Sequence, residues 1–138
     1  DLINWFNNEF LGMTMNNETS STLPVYIIAT LTVSENEEPY LLSALRELVC
    51  ATKMESGCME YNLYRDALEE GFFVIHEVWR SQADLDAHMC ASHFRTFISR
   101  MEALSTPTSD VRKMSFIIWN QTVKSSDISP EIVGIWHY

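Results

Sequence analysis

Hydrophobic positions alternate between strand-like and helix-like spacing from Val25 onward. The β-branched run VYIIATLTV at 25–33 predicts a first strand, and the acidic stretch from Ser34 to Pro39 is typical of a helix start. The segment after it predicts a helix with an apolar face made of Leu41, Ala44, Leu45 and Leu48. This first unit is therefore a strand followed by a helix that packs one face against a sheet.

Two neighbouring strands and two helices are predicted in the middle of the chain. Segment 58–64 alternates with the period of a strand after the turn at Gly57, and the polar loop 65–71 leads into the apolar run FFVIHEVW at 72–79. Ser81 and Asp84 then have the spacing of an N-terminal capping box, so a helix is expected to begin there. A turn near Ser92 separates it from a second helix with the apolar residues Phe94, Phe97, Ile98 and Met101.

The final strand of the domain is predicted from Val111 to Trp119, which completes the order β-α-β-β-α-β. This order is that of a ferredoxin-like, split βαβ fold of the α+β class, with a four-stranded antiparallel sheet covered on one face by helices. The expected domain spans 25–120. Residues 1–24 form an N-terminal extension, either a short docking helix or a mobile segment, and residues 121–138 form a C-terminal extension with a candidate edge strand at 132–136.

The strand at 72–79 is apolar on both of its faces. One face carries Phe72, Val74, His76 and Val78, and the other carries Phe73, Ile75, Glu77 and Trp79. The helices of the chain can cover only one face, and monomers rarely expose a large apolar patch. We therefore expect a homodimer in which two sheets pack face to face.

Charge and composition exclude several classes of partner. The formal net charge of -10 at pH 7 disfavours nucleic acid and anionic membrane surfaces. No apolar run reaches the length of a membrane span, and the N-terminus lacks a secretory signal, so a cytoplasmic location is expected. The three cysteines, Cys50, Cys58 and Cys90, form no CxxC pair, and reduced, buried thiols are expected.

Three segments together resemble a known family. They are ESGCMEYNLYRD at 55–66, FFVIHEVW at 72–79 and LDAHMCASHFRTF at 85–97. In this order and spacing they resemble the antibiotic-biosynthesis-monooxygenase family, which includes quinol monooxygenase-like proteins. The resemblance runs from about Val25 to Trp119 and leaves out both terminal extensions.

The resemblance implies a dimeric α+β barrel with a cavity between the sheet and the helices of each subunit. It also implies oxidation of a small aromatic substrate, a phenol or a quinol, by dioxygen without metal or flavin. An electron-rich phenolate can itself pass an electron to dioxygen. The protein then needs only to bind the substrate, deprotonate it and exclude water.

Two histidines are candidates for the base. His76 lies mid-strand between apolar residues, where a polar group needs a partner or a task, and the resembling family more often has an aromatic residue there. His88 titrates near neutrality in its ordinary state, but as a helix histidine it can equally hydrogen-bond nearby backbone. If the strand is regular, His76 and Trp79 face opposite sides of the sheet.

Five other residues are candidates for substrate binding. Trp79 offers a stacking surface that the resemblance places in the cavity, although it can also be a core residue. The resemblance adds His93 and Phe94, whereas Asn62 and Tyr64 can orient a substrate oxygen or simply face solvent. Glu77 remains open between a dimer contact and a substrate contact.

No metal or other cofactor is expected. His88 and His93 lie five residues apart, which does not place them on the same face of one continuous helix. Haem-degrading relatives use an asparagine, a tryptophan and a histidine at positions that correspond here to Ala29, Trp79 and Ile98, so only the tryptophan is retained. The alternatives are a non-catalytic dimeric module that binds a hydrophobic ligand and an isomerase of a small phosphorylated hydroxy-dione.

Overall fold

Four strands form one antiparallel sheet at the centre of the fold. The computed structural model describes residues 23–105 and 107–117 of the chain. The sheet order is β2-β3-β1-β4, and the strands are β1 Val25–Thr32, β2 Cys58–Arg65, β3 Phe72–Trp79 and β4 Thr108–Met114. This order confirms the ferredoxin-like α+β fold that the sequence predicts.

Three α-helices cover one face of the sheet: α1 Glu38–Thr52, α2 Gln82–Cys90 and α3 Ser92–Glu102. A 3-10 turn at Glu35–Glu37 precedes α1, and Pro39 lies in the first turn of α1, where a missing N–H costs nothing. The predicted apolar face of α1 is buried: Leu41, Ala44, Leu45 and Leu48. In the part of the chain that the structure describes, no helix is long and apolar enough to cross a membrane.

The hydrophobic core lies between the helices and the face of the sheet that they cover, which we call the inner face. In β1, alternate residues are buried, as expected for a strand with one covered face. The core residues of the strands are joined by apolar side chains of all three helices. The inner-face core residues of the sheet are Val25, Ile27, Ala29, Leu31, Tyr61, Phe73, Ile75 and Trp79.

The opposite, outer face carries partly exposed apolar residues. Ile28 in β1 pairs with His76 in β3, and Val74 pairs with Thr30 of β1 and Tyr64 of β2. Cross-strand partners project from the same face of a sheet, so these side chains form one continuous surface. The part of the chain that the structure describes places no helix on it.

The fourth strand differs from its prediction. It begins at Thr108, three residues before the predicted start at Val111, and ends at Met114. β4 is an edge strand with mostly exposed residues, so its first residues show no apolar alternation, and pairing of Thr108 with Thr32 defines where it starts. Trp119, the predicted N-terminal helix and the predicted edge strand at 132–136 lie outside the described residues.

The cysteines are less buried than the sequence predicts. Cys50 and Cys90 are exposed and Cys58 is half-buried, so the prediction of buried thiols is wrong for Cys50 and Cys90. Both lie on helices, α1 and α2, at positions that do not face the sheet.

Candidate active site

A carboxyl group is buried in the apolar core on the inner face. Glu77 is 7% exposed, and its carboxylate accepts a hydrogen bond from Trp79 Nε1 at 3.1 Å. The hydroxyl of Tyr61, on the neighbouring strand β2, also hydrogen-bonds to Glu77. Two donors thus hold one acidic group inside the core.

Burial changes the acidity of this carboxyl group. It raises the pKa of Glu77 from the ordinary value of 4.5 to about 7, against the lowering effect of the hydrogen bonds from Trp79 and Tyr61. The negative charge of Glu55 raises it further. Burial also raises the pKa of Tyr61 well above 10, so its phenol remains a hydrogen-bond donor. Glu77 can therefore exchange a proton near neutral pH, which is the property of a general base.

A narrow cavity lies beside Glu77 between the sheet and the helices. Its volume is about 30 Å³, enough for one or two water molecules. Among the described residues that line it, Glu77 is the only charged one, and most of the rest are apolar, including Ile27, Ile75, Phe94 and Phe97. This lining suits an apolar ligand with one polar group, which must displace lining side chains to enter.

A second polar cluster joins two helices to the turn before β2. Oε2 of Glu55 lies 2.6 Å from His88 Nδ1 and 2.8 Å from His93 Nε2. The two histidines converge because α2 ends at Ala91, whose extended backbone (φ -67°, ψ 148°) redirects the chain into α3. The expectation that a spacing of five separates them assumed one continuous helix, and the break makes that assumption wrong.

Gly57 brings the turn before β2 close to α2. A Cβ atom at this position would lie 2.2 Å from the side chain of Asp84 in the first turn of α2, so only glycine allows this approach. The Gly57 carbonyl oxygen also accepts a hydrogen bond from the backbone N–H of Arg80 at 2.9 Å. This close packing places Glu55, two residues earlier, within reach of His88.

His88 lies at the centre of an aromatic cluster and is fully buried. Its ring centroid is 4.6 Å from that of Trp79, 5.1 Å from that of Phe94 and 5.6 Å from that of Tyr61. Burial lowers the pKa of His88, while the hydrogen bond and the charge of Glu55 act in the opposite direction. Its Nε2 atom has no hydrogen-bond partner among the described residues. A neutral imidazole held by Glu55 is the arrangement that these surroundings favour.

The residues predicted from sequence lie on two opposite faces of the sheet. Asn62, Tyr64 and His76 lie on the outer face, where His76 Nδ1 is 3.6 Å from an oxygen of Glu60. The other four lie on the inner face or the helices that cover it: Trp79, His88, His93 and Phe94. The structure therefore does not bring His76 and Trp79 together within one subunit, as the regular register of β3 with β1 requires.

Of the predicted inner residues, Phe94 lines the cavity, whereas Trp79 is fully buried behind it. The indole of Trp79 packs on His88 and donates its N–H to Glu77, so it acts on the cavity through that carboxylate. Glu77 lies on the inner face and not on a surface open to a second subunit, which favours the substrate-contact alternative over the dimer contact. His93, in the first turn of α3, has 24% of its side chain exposed and lines a groove between α1 and α3.

Two residues of the site carried little signal in the sequence. Tyr61 is the buried residue of β2, whose other residues are exposed or half-buried. It pairs with Glu77 across the sheet, so strand alternation places both side chains on the same face. Glu55 lies in a turn 33 residues before His88, and no local pattern connects them. Only the packing of the turn against α2 identifies Glu55.

The sequence of this chain is similar to that of a protein family and of several known proteins. A family model described as Antibiotic biosynthesis monooxygenase matches residues 24–100. The chain is 30% identical over 89 residues to the protein named "Putative monooxygenase YcnE" of Bacillus subtilis, covering 64% of this chain and 94% of YcnE. It is 31% identical over 85 residues to "Putative monooxygenase Rv0793" of Mycobacterium tuberculosis, covering 62% of this chain and 83% of that protein.

The fold is also similar to that of a solved relative. The structure of Rv0793 from Mycobacterium tuberculosis superposes with a TM-score of 0.65 at 26% identity, over 72% of this chain and 100% of that chain. The "Uncharacterized protein sll1783" of Synechocystis sp. is 24% identical over 89 residues, or 64% of this chain. The chain spans about 60% of the length of sll1783.

Proposed function

Because this chain belongs to the antibiotic biosynthesis monooxygenase family, we propose that it oxidises a small phenol or quinol with dioxygen and without a bound cofactor. The observation that carries this proposal is Glu77, a buried carboxyl group with a pKa of about 7 beside an apolar cavity. A base of this kind can deprotonate a phenolic hydroxyl at neutral pH. The names of YcnE and Rv0793 support the same reaction class.

The reaction needs only a base and a dry, apolar site. Glu77 accepts the hydroxyl proton, and the phenolate gives one electron to dioxygen. The resulting radical pair forms a carbon–oxygen bond, and the peroxide takes up a proton. The O–O bond then breaks, one oxygen atom stays on the substrate, and the other leaves as water with the two hydrogens that the substrate lost. The substrate supplies all four electrons, so no external reductant is needed.

The surroundings of Glu77 support each role. Trp79 and Tyr61 hold the carboxylate in place, and their N–H and O–H groups keep its charged form accessible near neutral pH. The apolar lining excludes water, which strengthens electrostatic interactions with an anionic substrate and protects a radical intermediate. A substrate larger than two water molecules must displace lining side chains, and Met89, an unbranched and flexible residue, is one of them.

The outer face supports a second part of the proposal, a homodimer. Apart from Val78, which is buried, its apolar residues are at most partly buried in one subunit, and a second copy packed on it would cover Ile28 and Val74. Asn62, Tyr64 and His76 then lie at the subunit interface, where His76 can contact a ligand only across the dimer. We propose that these three residues serve the partner-facing side of the barrel.

The remaining alternatives receive less support. An isomerase acting on a phosphorylated substrate would need cationic groups, and no Arg or Lys is among the described residues that line the cavity. A non-catalytic binding module would use the same cavity, so the two accounts separate only by turnover. Stabilisation by ligand is expected of both.

The test is oxygen uptake by the purified full chain with a panel of quinols and anthrone-like phenols, in the presence of a metal chelator. We expect kcat/KM for an active substrate to rise with pH and to level off above about 7, the pKa of Glu77. Glu77→Gln is expected to lower kcat/KM by roughly 10²–10⁴-fold. Glu69→Gln, which removes an exposed loop carboxylate, is the matched control.

Trp79→Phe removes the indole N–H that bonds to Glu77 and keeps an aromatic ring at this position. Loss of this hydrogen bond removes a lowering influence on the pKa of Glu77, so the pH midpoint is expected to move to higher pH. Phe97→Leu, a change in the cavity wall at a residue without a hydrogen bond to Glu77, is expected to leave the midpoint in place. Full activity in Glu77→Gln, or binding without oxygen uptake across the panel, would contradict the proposed reaction.

A further inference from the structure

We propose that Glu55, His88 and His93 form a binding site for one divalent transition-metal ion of the Zn²⁺ type. This site is separate from the cavity, because none of its three residues is among the described residues that line it. The inference is therefore independent of the proposed oxidation. It concerns a cation that ties the turn before β2 to the ends of α2 and α3.

The geometry suits a small cation. One ligand atom from each residue lies within 4.8 Å of the other two. A tetrahedral ion with bonds of about 2.1 Å separates its ligands by about 3.4 Å. The Glu55 oxygen now lies 2.6 and 2.8 Å from the two nitrogens, so these two pairs must open by less than about 1 Å to admit the ion. The two nitrogens lie within 4.8 Å of each other and must approach by at most about 1.4 Å.

The donor set also suits such an ion. Two imidazole nitrogens and one carboxylate oxygen are ligands that zinc and its borderline neighbours accept, whereas calcium and magnesium prefer oxygen alone. Three protein ligands leave at least one coordination position for water. One of the three ligands, His93, lines a groove of about 260 Å³ between α1 and α3.

The partly buried carboxylate of Glu55 contacts both histidines. With only 18% of its side chain exposed, Glu55 has two imidazoles and no Arg or Lys as ion-pair partners among the described residues. A divalent ion would compensate this charge.

The same three side chains could instead be held by hydrogen bonds alone, so the test must measure the metal. The full chain is stripped with chelator, dialysed and titrated with zinc chloride in a calorimeter. We expect one ion to bind per chain and the melting temperature to rise with zinc concentration. Titration with cobalt(II) should give a spectrum without thiolate charge transfer, which excludes the exposed Cys50 and Cys90 as ligands.

Two ligand variants and one control complete the design. Glu55→Gln and His93→Gln keep side-chain size, and each is expected to raise the zinc Kd by roughly tenfold to a hundredfold or more. His88 is fully buried and is left intact so that folding is preserved. His76→Gln is the matched control, because His76 pairs with Glu60 on the outer face, far from this cluster in the fold. It should bind zinc as the unmodified chain does.

The proposal is overturned if the stripped chain fails to bind zinc, if both ligand variants bind it unchanged, or if His76→Gln loses as much affinity as they do. A thiolate band with cobalt would also overturn it. The three residues would then be a hydrogen-bonded tie between helices. Because the titration uses no substrate and the oxygen-uptake assay contains chelator, failure of one proposal leaves the other unaffected.

Discussion

Ionisation of Glu77 is less favourable in the folded protein than in the unfolded chain, so the free energy of unfolding is expected to depend on pH. Burial raises its pKa from 4.5 in its ordinary state to about 7. Between these pH values the folded chain holds a proton that the unfolded chain has released, so the stability contribution is full below about pH 4.5 and is lost as pH rises to about 7. The expected loss is on the order of 3 kcal/mol.

The measurement is urea unfolding of the unmodified chain and of Glu77→Gln between pH 4.5 and 8. Glutamine cannot ionise, so the variant is expected to lack this loss and to gain stability relative to the unmodified chain as pH rises. The comparison is needed because the lowered pKa of His88 produces a trend of opposite sign, with stability falling as pH decreases. Parallel curves for the two proteins would show that Glu77 does not titrate in this range.

At the scale of single elements, the start of α2 depends on Ser81. Its hydroxyl oxygen accepts a hydrogen bond from the backbone N–H of Asp84 at 3.2 Å, which satisfies one free donor of the helix N-terminus. Ser81→Ala is expected to lower the free energy of unfolding by about 1 kcal/mol. Ser43→Ala, the same change at an exposed mid-helix position of α1, should be neutral or slightly stabilising.

Denaturant unfolding of both serine variants at one pH distinguishes these effects. α2 carries His88, so a frayed start of this helix is also expected to loosen the contact between His88 and Glu55. Equal stability of the two variants would mean that the capping bond contributes nothing in water.

For the whole molecule, the outer face predicts the oligomeric state. Val74 lies on this face in β3, beside Thr30 and Tyr64. In a dimer packed sheet to sheet, Val74→Lys would bury a charge without a partner, at a cost on the order of 3 kcal/mol or more. Sedimentation velocity at micromolar concentration should therefore show a dimer for the unmodified chain and a monomer for the variant.

Leu68→Lys is the control for this experiment, because it also replaces an apolar residue with lysine. Leu68 lies in the loop between β2 and β3 and is 97% exposed. It is expected to remain dimeric. A monomeric unmodified chain, or equal dissociation of both variants, would rule out the outer face as the interface.

The order of the elements was readable from the amino-acid pattern. The β-branched run VYIIATLTV and the apolar run FFVIHEVW predicted β1 and β3, and the spacing of Leu41, Leu45 and Leu48 predicted the buried face of α1. These predictions succeeded because burial of apolar side chains on one face dominates the local choice of structure. The two-residue period of a regular strand predicted that His76 and Trp79 lie on opposite faces, which the pairing of β3 with β1 confirms.

The edge strand and the polar clusters required the folded chain. β4 begins at Thr108 because Thr32 pairs with it, and an exposed edge needs no apolar alternation. Glu55 meets His88 and His93 across 33 and 38 residues of sequence, because the helical segment is broken at Ala91 and the turn at Gly57 packs against α2. Sequence spacing describes a single helix or strand, whereas contacts between elements depend on backbone breaks and close packing that no local period encodes.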